Sequence, residues 1–537
     1  MKIPATLLAS LLACAALTST PSIAQAPAEA WDYRIARGDT LIGLHGRLMR
    51  PEADWRVVQR LNRIADPRRL QPGSNLRIPV SMLREEPVSA EVLHAHGEVA
   101  VERPGAGREP LQAAALLRAG DVILTGAQSS ASIRFIDGSR ALLGPGGRLR
   151  VERQVKLGAS GAADTRLRLE TGSVETRVQV ARPATRFELR TPVANLGVRG
   201  TEFRARVDGE RVLAEVLEGR VAVGSLALEA GFGTVASAGQ VAPPRVLASP
   251  PDIGGLPALV ERLPLQFVFP PAAGATRYRA QLFDTGEPER LLLDGLFDEP
   301  RIAWPDSPAD GRYELRVRAA DAVGVEGRSA PLAFTLKARP ESPFQLRPRA
   351  GERVVDETVA FAWSRHPEAA RYRLQVAAKP DFTEPRVDRS DLTGTEFSIA
   401  LPLGTWYWRL ASVRASGDAG PWGDAVELLR TEPPPPPAVQ PAQATEAGIT
   451  MRWAAAPLPG VRYQVQVARD ATFTQLLLDE TTADTERLLP KPGPGTYHLR
   501  VRTVGSDGRA GDFGAAQTIE VPRSLWWLWL LPLLLLL

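Results

Sequence analysis

Residues that could carry out catalysis are sparse in this chain of 537 residues. Among its five histidines, His94 and His96 are two apart, which would place both on one face of a strand, as two metal ligands require. No third ligand accompanies them, so we interpret both as solvated strand histidines. Motifs of zinc hydrolases, serine hydrolases, dithiol redox proteins and nucleotide-binding loops do not occur. The sequence therefore predicts a protein that is not an enzyme and needs no metal or cofactor.

The N-terminus predicts export. Met1 and Lys2 precede an apolar run from Ile3 to about Leu17, and the small residues Ala24 and Ala26 follow, the pattern of a cleavable signal peptide over residues 1–26. The single cysteine, Cys14, lies inside this segment, so the mature chain would contain no disulfide. That composition favours a bacterial periplasm. Lipoprotein processing at Cys14 is the alternative.

The C-terminus is strongly apolar. Residues 524–537, SLWWLWLLPLLLLL, carry no charge and would be about 21 Å long as a helix. Spanning a bilayer takes about 20 helical residues. Three tryptophans follow Arg523, as in an interfacial aromatic belt. A membrane anchor is our interpretation; a truncated chain and a segment buried against protein are the alternatives.

Composition bounds the partners. There are 65 basic and 61 acidic residues, a balance that argues against nucleic acid as a partner. The apolar fraction of 44% is that of a globular protein, and the length predicts several domains. Proline-rich linkers at residues 243–244, 250–251, 340–343 and 433–437 separate blocks that differ in their sequence patterns.

A candidate binding module occupies residues 31–82. A strand over 33–36 leads into the turn at Gly38, after which Thr40 is placed to cap a helix that carries Leu41, Leu44 and Leu48. A second helix is predicted over 54–62, and a closing strand over 76–79. We expect the second helix to turn Trp55, Val58 and Leu61 inward.

The run GDTL at residues 38–41 and the run LNRIADPRRLQPGSNLRIP at 61–79 give this module a strong resemblance to a LysM domain. LysM domains bind glycans that contain N-acetylglucosamine, such as peptidoglycan and chitin. The module has ten arginines against five acids, which would suit a wall that bears carboxylates. The resemblance implies a groove between two loops, formed by Gly38, Asp39, Thr40 and Leu41 facing Asn62, Arg63, Ile64, Ala65 and Asp66.

Residues 88–245 consist of short alternating runs. Hairpin turns are predicted at Asp137-Gly138 and Asp208-Gly209, and another turn at residues 170–172. The stretch RTPVANLGVRGTEFRAR at 190–206 resembles the FecR domain. Well-known FecR proteins are iron-uptake regulators with a cytoplasmic anti-sigma segment, a plan from which this chain departs. The resemblance implies a β-rich periplasmic domain that contacts other proteins. We interpret its characteristic residues as structural: Thr191, Gly197, Gly200, Thr201 and Phe203.

A repeat of about 92 residues fills the rest. Its copies share a tyrosine strand (Tyr278, Tyr372, Tyr463) and a later glycine (Gly311, Gly404, Gly495). An earlier aromatic residue, Phe269, Trp363 or Trp453, would anchor each core. The copies resemble fibronectin type III domains, with bounds 250–338, 340–432 and 438–522.

The sequence thus predicts a mainly β, multidomain chain: a small βααβ LysM module, a β-rich FecR-like domain and three tandem β-sandwiches. Its predicted function is non-enzymatic, namely binding of peptidoglycan in the periplasm and scaffolding of unidentified envelope proteins. A periplasmic signalling protein acting through the FecR-like domain is one alternative. An enzyme of unrecognised type is another.

Overall fold

The computed structural model describes residues 30–179, 185–198, 200–285, 290–445 and 447–522. The predicted signal peptide and the apolar tail lie outside these residues. Strands make up 51% of these described residues and helices 4%, which confirms the mainly β fold class. Among the described residues, every helix is too short or too polar to cross a bilayer. The chain divides into two compact units, with the boundary between Ala338 and Arg339.

The first unit begins with a small βααβ module. Its elements are β1 (Ala30–Arg34), α1 (Leu41–Leu48), α2 (Trp55–Leu61), β2 (Asn75–Pro79) and a short 3-10 helix (Val80–Met82). Strands β1 and β2 pair antiparallel, with Tyr33 opposite Leu76. Helix α1 begins as predicted, because the hydroxyl of Thr40 accepts a hydrogen bond from the amide of Gly43 at 3.0 Å.

The core of this module is formed mainly by α1 and the two strands. Leu41, Leu44 and Leu48 are buried as predicted, and so is Val58 of α2. The prediction for Leu61 was wrong, since this side chain is 44% exposed. Helix α2 ends there, and the next residue, Asn62, fills the space against β2 with its amide.

The core of the module is shared with the domain that follows it. Val155, Leu157 and Ala162, from a long hairpin of the next domain, are buried in the same apolar cluster as Leu44. The amide of Arg84 also donates to the carbonyl of Leu48 at 2.8 Å. The module is therefore packed onto the domain that follows it.

That domain is a closed barrel. Its strands are β3 (Glu85–Pro87), β4 (Ala90–His96), β5 (Val99–Arg103), β6 (Gly107–Pro110), β7 (Leu116–Leu117), β8 (Val122–Thr125), β9 (Ser130–Arg134), β10 (Arg140–Leu143), β11 (Arg148–Leu157), β12 (Ala162–Arg177), β13 (Arg186–Arg190), β14 (Asn195–Val198), β15 (Glu202–Asp208), β16 (Arg211–Glu218), β17 (Arg220–Val223), β18 (Leu226–Glu229), β19 (Phe232–Ser237), β20 (Gln240–Val241) and β21 (Arg245–Val246).

Turns connect the strands at two of the predicted places. Asp137-Gly138 joins β9 to β10, and Gly209 follows the end of β15. The turn predicted at residues 170–172 was wrong, because β12 runs straight through it. Gly172 instead lets this strand pass from one sheet of the barrel to the other. Its φ is +81°, and a Cβ there would lie 2.5 Å from the Cα of Gly147.

The first sandwich completes this unit. Its strands are β22 (Leu259–Val260), β23 (Gln266–Val268), β24 (Arg277–Asp284), β25 (Leu291–Phe297), β26 (Arg301–Ala303), β27 (Gly311–Ala320) and β28 (Ala330–Leu336). They form a five-stranded sheet in the order β22-β28-β27-β24-β25 and a two-stranded sheet of β23 and β26.

The second unit contains two more sandwiches. The second sandwich has β29 (Gln345–Arg347), β30 (Glu352–Val354), β31 (Thr358–Trp363), β32 (Arg371–Ala377), β33 (Val387–Leu392), β34 (Glu396–Ala400), β35 (Gly404–Val413) and β36 (Val426–Arg430). The third has β37 (Gln443–Thr445), β38 (Gly448–Arg452), β39 (Arg462–Ala468), β40 (Leu476–Thr482), β41 (Glu486–Pro490), β42 (Gly495–Val504) and β43 (Gln517–Val521).

The aromatic anchors predicted for the repeats are confirmed. Phe269, Trp363 and Trp453 are all at most 5% exposed. Each meets the tyrosine of its own repeat edge to face, with ring centroids 5.2, 5.7 and 5.6 Å apart respectively. The three repeats therefore share one core design.

Candidate glycan-binding site

The two predicted groove loops of the βααβ module lie side by side. The amide of Leu41, at the start of α1, donates to the carbonyl of Pro67 at 2.8 Å. Leu41 itself is fully buried, so its side chain belongs to the core and its backbone joins the loops. This hydrogen bond places residues 38–41 next to residues 62–66.

Asp39 is committed to the shape of the first loop. Its carboxylate accepts hydrogen bonds from the Tyr33 hydroxyl at 2.7 Å, the Ala36 amide at 2.8 Å and the Arg47 guanidinium at 2.9 Å. Burial on its own would raise the pKa of Asp39, but these three donors lower it below its ordinary value. Burial, with the hydrogen bond to Asp39, raises the pKa of Tyr33. A charged Asp39 thus fixes the loop.

The remaining residues of the first loop differ in access. Thr40 is half-buried and caps α1. Gly38 is exposed, with φ at +89° and open space around the position of a Cβ. The first loop therefore offers backbone at Gly38, while Asp39, Thr40 and Leu41 support it.

Asn62 is also a supporting residue. Its side-chain amide donates to the carbonyls of Val58 at 2.8 Å and Arg77 at 2.7 Å, and its oxygen accepts from the Arg77 amide at 2.7 Å. These bonds fasten the end of α2 to β2. They also occupy the side-chain nitrogen and oxygen of Asn62, the two groups with which this residue could bind a glycan.

The second loop presents its backbone. Arg63 is exposed and adopts a φ of +53°, in the left-handed region. Ile64 is held by Gln59, whose carbonyl accepts from the Ile64 amide and whose side chain donates to the Ile64 carbonyl, both at 3.0 Å. Ala65 and Asp66 are exposed, and Asp66 accepts from the amide of Arg68 at 2.9 Å.

The accessible part of the site is therefore smaller than the predicted set. It comprises Gly38, Arg63, Ala65 and Asp66, with the half-buried Ile64 at its base. Within residues 30–179, the peptide groups of Gly38 and Ala65 form no hydrogen bond to another protein group. Such groups can pair with the amide of an N-acetyl substituent.

Sequence reasoning missed several residues that shape the site. Tyr33, Arg47 and Gln59 hold the loops through contacts that no sequence spacing signals. Ile42 is 48% exposed on the first turn of α1, although its neighbour Leu41 is fully buried. The helical period gives a signal for Ile42, since it falls off the stripe of Leu41, Leu44 and Leu48.

The residues quoted for the FecR resemblance are structural in the barrel. Thr191 closes a turn, with its hydroxyl donating to the carbonyl of Ala194 at 2.6 Å. Thr201 and Phe203 are at most 2% exposed. Gly200 has a φ of +61°, and Gly197 lies in β14. The three side chains among these residues, those of Thr191, Thr201 and Phe203, are buried, and the two glycines offer only backbone.

Residues 121–222 match the model of the FecR protein family. No curated protein matches the chain. Among solved structures, a protein described as an anti-sigma factor from Parabacteroides distasonis is 16% identical, with a TM-score of 0.20. That match covers 23% of this chain and 59% of the other, so the chain spans little more than half of that protein's length.

Two further solved structures are similar to parts of this chain. The FN1–FN3 domains of chicken CNTN1 are 16% identical, cover 48% of this chain and 94% of their own, and give a TM-score of 0.25. Fibronectin(III)-like modules of Clostridium thermocellum CbhA are 14% identical, cover 34% of this chain and 94% of their own, and also give 0.25.

Proposed function

We propose that this chain is a non-enzymatic, exported envelope protein that binds peptidoglycan through residues 31–82. The observation that carries the proposal is the pair of loops joined by the hydrogen bond from Leu41 to Pro67. Gly38 in the first loop and Ala65 in the second are both exposed, and we propose that their peptide groups form one edge of the βααβ module.

The chemistry of this edge suits an N-acetyl sugar. A secondary amide has one donor and one acceptor, and unpaired peptide groups complement both. The apolar surface of Ile64 would pack against the acetyl methyl group. A loop already held by Asp39 and Asn62 would lose little conformational freedom on binding.

Charge supports the same ligand. The module carries ten arginines and five acidic residues, so it is net positive in a chain that is otherwise balanced. Peptide stems of the cell wall bear carboxylates, which such a surface would attract over roughly a Debye length.

Co-sedimentation with insoluble peptidoglycan sacculi tests this proposal. The protein would be residues 27–522, which omit the predicted signal peptide and the apolar tail. We expect pelleting of this chain and loss of pelleting for Ala65→Trp, because the indole would fill the edge between the loops. Ala113→Trp, at an exposed turn of the barrel, is the matched control and should pellet normally. Equal pelleting of both variants would refute the site.

A signalling role is the second candidate, because residues 121–222 match the FecR family. That match supports an envelope-related or signalling-related role in general terms. If the barrel relays a signal, Ala65→Trp should leave the response of a reporter strain intact. A barrel variant would abolish that response. Membrane attachment by residues 524–537 remains part of the proposal.

A further inference from the structure

The barrel and the first sandwich, both within the first unit, meet through a buried cluster of charges. The barrel contributes side chains from β12, β15 and β16, and the sandwich from β24, β25, β27 and the loop after β27. We name this cluster the joint; its members are Glu175, Arg204, Arg206, Glu215, Arg279, Gln281, Asp294, Arg318 and Glu326. Six of the nine are at most 9% exposed, and Glu175, Arg206 and Arg279 are partly buried.

Ion pairs cross the joint in both directions. The guanidinium of Arg318, from the sandwich, lies 2.7 Å from the carboxylate of Glu175 in the barrel. In return, Arg206 of the barrel lies 2.6 Å from Glu326 of the sandwich. Gln281 also donates to Glu175 at 2.8 Å.

Backbone groups of the sandwich take part as well. Arg204 donates to the carbonyl of Gly327 at 2.6 Å, and the amide of Glu326 donates to the Glu215 carboxylate at 3.1 Å. These contacts require the two domains to keep one fixed orientation.

The charges of the joint are paired across the contact as well as within each domain. The joint contains four arginines and four carboxylates, shared equally between the barrel and the sandwich. Burial alone would raise the pKa of Glu175, but Arg318 and Arg204 lower it to about 2. An unpaired buried charge is strongly destabilising, so separation would force both faces to be rehydrated.

Apolar clusters flank the charges on two sides. Leu142 of the barrel is buried with Phe283 and Leu291 of the sandwich. On the other side, Leu213 and Leu247 are buried with Val325 of the sandwich. A Cβ on Gly233 would lie 2.5 Å from Val325, so the two domains touch at backbone distance. This is the construction of a permanent contact rather than of an open hinge.

The second and third sandwiches have different residues at the position where the first sandwich contributes Glu326 to the joint. The amides of Gly327, Gly420 and Gly511 form equivalent hydrogen bonds to the strand before them, which aligns the loops. Where the first sandwich has Glu326, the others have Ala419 and Ala510.

Two residues after the aligned glycines, the first sandwich has Ser329, and the others have Trp422 and Phe513. Those rings cover the arginines of their own sheets. Arg409 lies 4.7 Å from the ring of Trp422, and Arg500 lies 4.1 Å from that of Phe513. In the first sandwich Ser329 stands in place of the aromatic ring. The arginines of its sheet pair with Glu326.

We infer that the barrel and the first sandwich form one inseparable unit, in which the sandwich is the resident partner of this barrel face. The first repeat is therefore not a spacer, unlike the interpretation open to a free fibronectin-like module. Any further protein partner of the FecR-matching segment must bind another face of the barrel.

A nicking experiment on the intact mature chain tests this inference. A specific protease site is inserted between Ser249 and Pro250, which are exposed in the link from the barrel to the sandwich. After cleavage, no covalent bond joins the pieces. We expect both to elute together in size-exclusion chromatography at neutral pH and physiological ionic strength. Pieces that separate in the chain without substitutions would overturn the inference.

Charge substitutions then test the role of the joint. Glu326→Arg and Glu175→Arg each place five positive charges against three negative ones, and both should release the nicked pieces. Glu175→Arg is included because the Glu175 side chain points outward from the barrel. This substitution changes no residue of the sandwich. The control is Glu486→Arg, which breaks an exposed pair with Arg452. If both joint variants leave the pieces together, the charges do not hold the domains.

Discussion

The side chain of Asn62 pairs with both backbone groups of Arg77, as a neighbouring strand would. Its amide nitrogen lies 2.7 Å from the Arg77 carbonyl, and its oxygen lies 2.7 Å from the Arg77 amide. The end of α2 is thereby fixed to β2, and the loop that follows is fixed with it. The proposed glycan site depends on this support.

Removing that support should destabilise the module. Asn62→Ala leaves the backbone groups of Arg77 without their partner, at a cost of about 1–3 kcal/mol. Hydrogen exchange of the Arg77 amide in the full mature chain measures this directly, and we expect it to become faster. Asn75→Ala, at an exposed position of the same strand, is the control. Unchanged exchange in Asn62→Ala would contradict the role.

Asp39 should make the stability of the folded protein depend on pH. Its pKa is lower in the folded protein than in the unfolded chain, so the stabilisation is present above the unfolded value. It is lost as the pH falls through the folded pKa. Asp39→Asn should therefore lower the melting temperature at neutral pH, and the difference from the parent protein should shrink in acid. A difference that grows in acid would contradict this sign.

Gly172 gives a prediction about the barrel. Gly172→Ala combines a positive φ with a Cβ only 2.5 Å from Gly147, whereas Gly105→Ala has a similar φ of +79° and open space. Holding an alanine at this positive φ costs about 1–3 kcal/mol on its own. Urea unfolding should therefore show a clearly larger loss for Gly172→Ala. Equal losses would mean that the corner of β12 can relax.

The aromatic anchors of the repeats can be tested in the second sandwich. Trp363 is 2% exposed, and Trp363→Ala should cost about 3–5 kcal/mol because it leaves a cavity in the core. Phe344 is 80% exposed, so Phe344→Ala should change stability by less than about 0.5 kcal/mol. Thermal unfolding of the two variants should separate them clearly, and similar melting temperatures would contradict the core assignment.

Regular patterns in the sequence predicted much of the fold. Alternation and the 92-residue repeat located the tyrosine strands and their aromatic partners, because these depend on local periodicity. The cap at Thr40 was predicted for the same reason. The turn assigned to Gly172 failed because glycine marks both turns and corners within a strand, and only the sheet partners distinguish the two.

The candidate site was predicted only in outline. The resemblance predicted that residues 38–41 and 62–66 lie together, but it did not reveal that the polar groups of Asp39 and Asn62 bind the protein itself. The joint could not be predicted from the sequence either. Glu175 and Arg318 are 143 residues apart in the chain, so no local pattern connects them.

The central claim is recognition of N-acetyl groups at the edge formed by Gly38 and Ala65. Isothermal titration of residues 27–522 with an N-acetylglucosamine oligomer, and with a glucose oligomer of equal length, tests it most directly. The account predicts binding of the acetylated oligomer alone, lost in Ala65→Trp and kept in Ala113→Trp. Equal binding of both oligomers, or acetylated binding that survives Ala65→Trp, would contradict it.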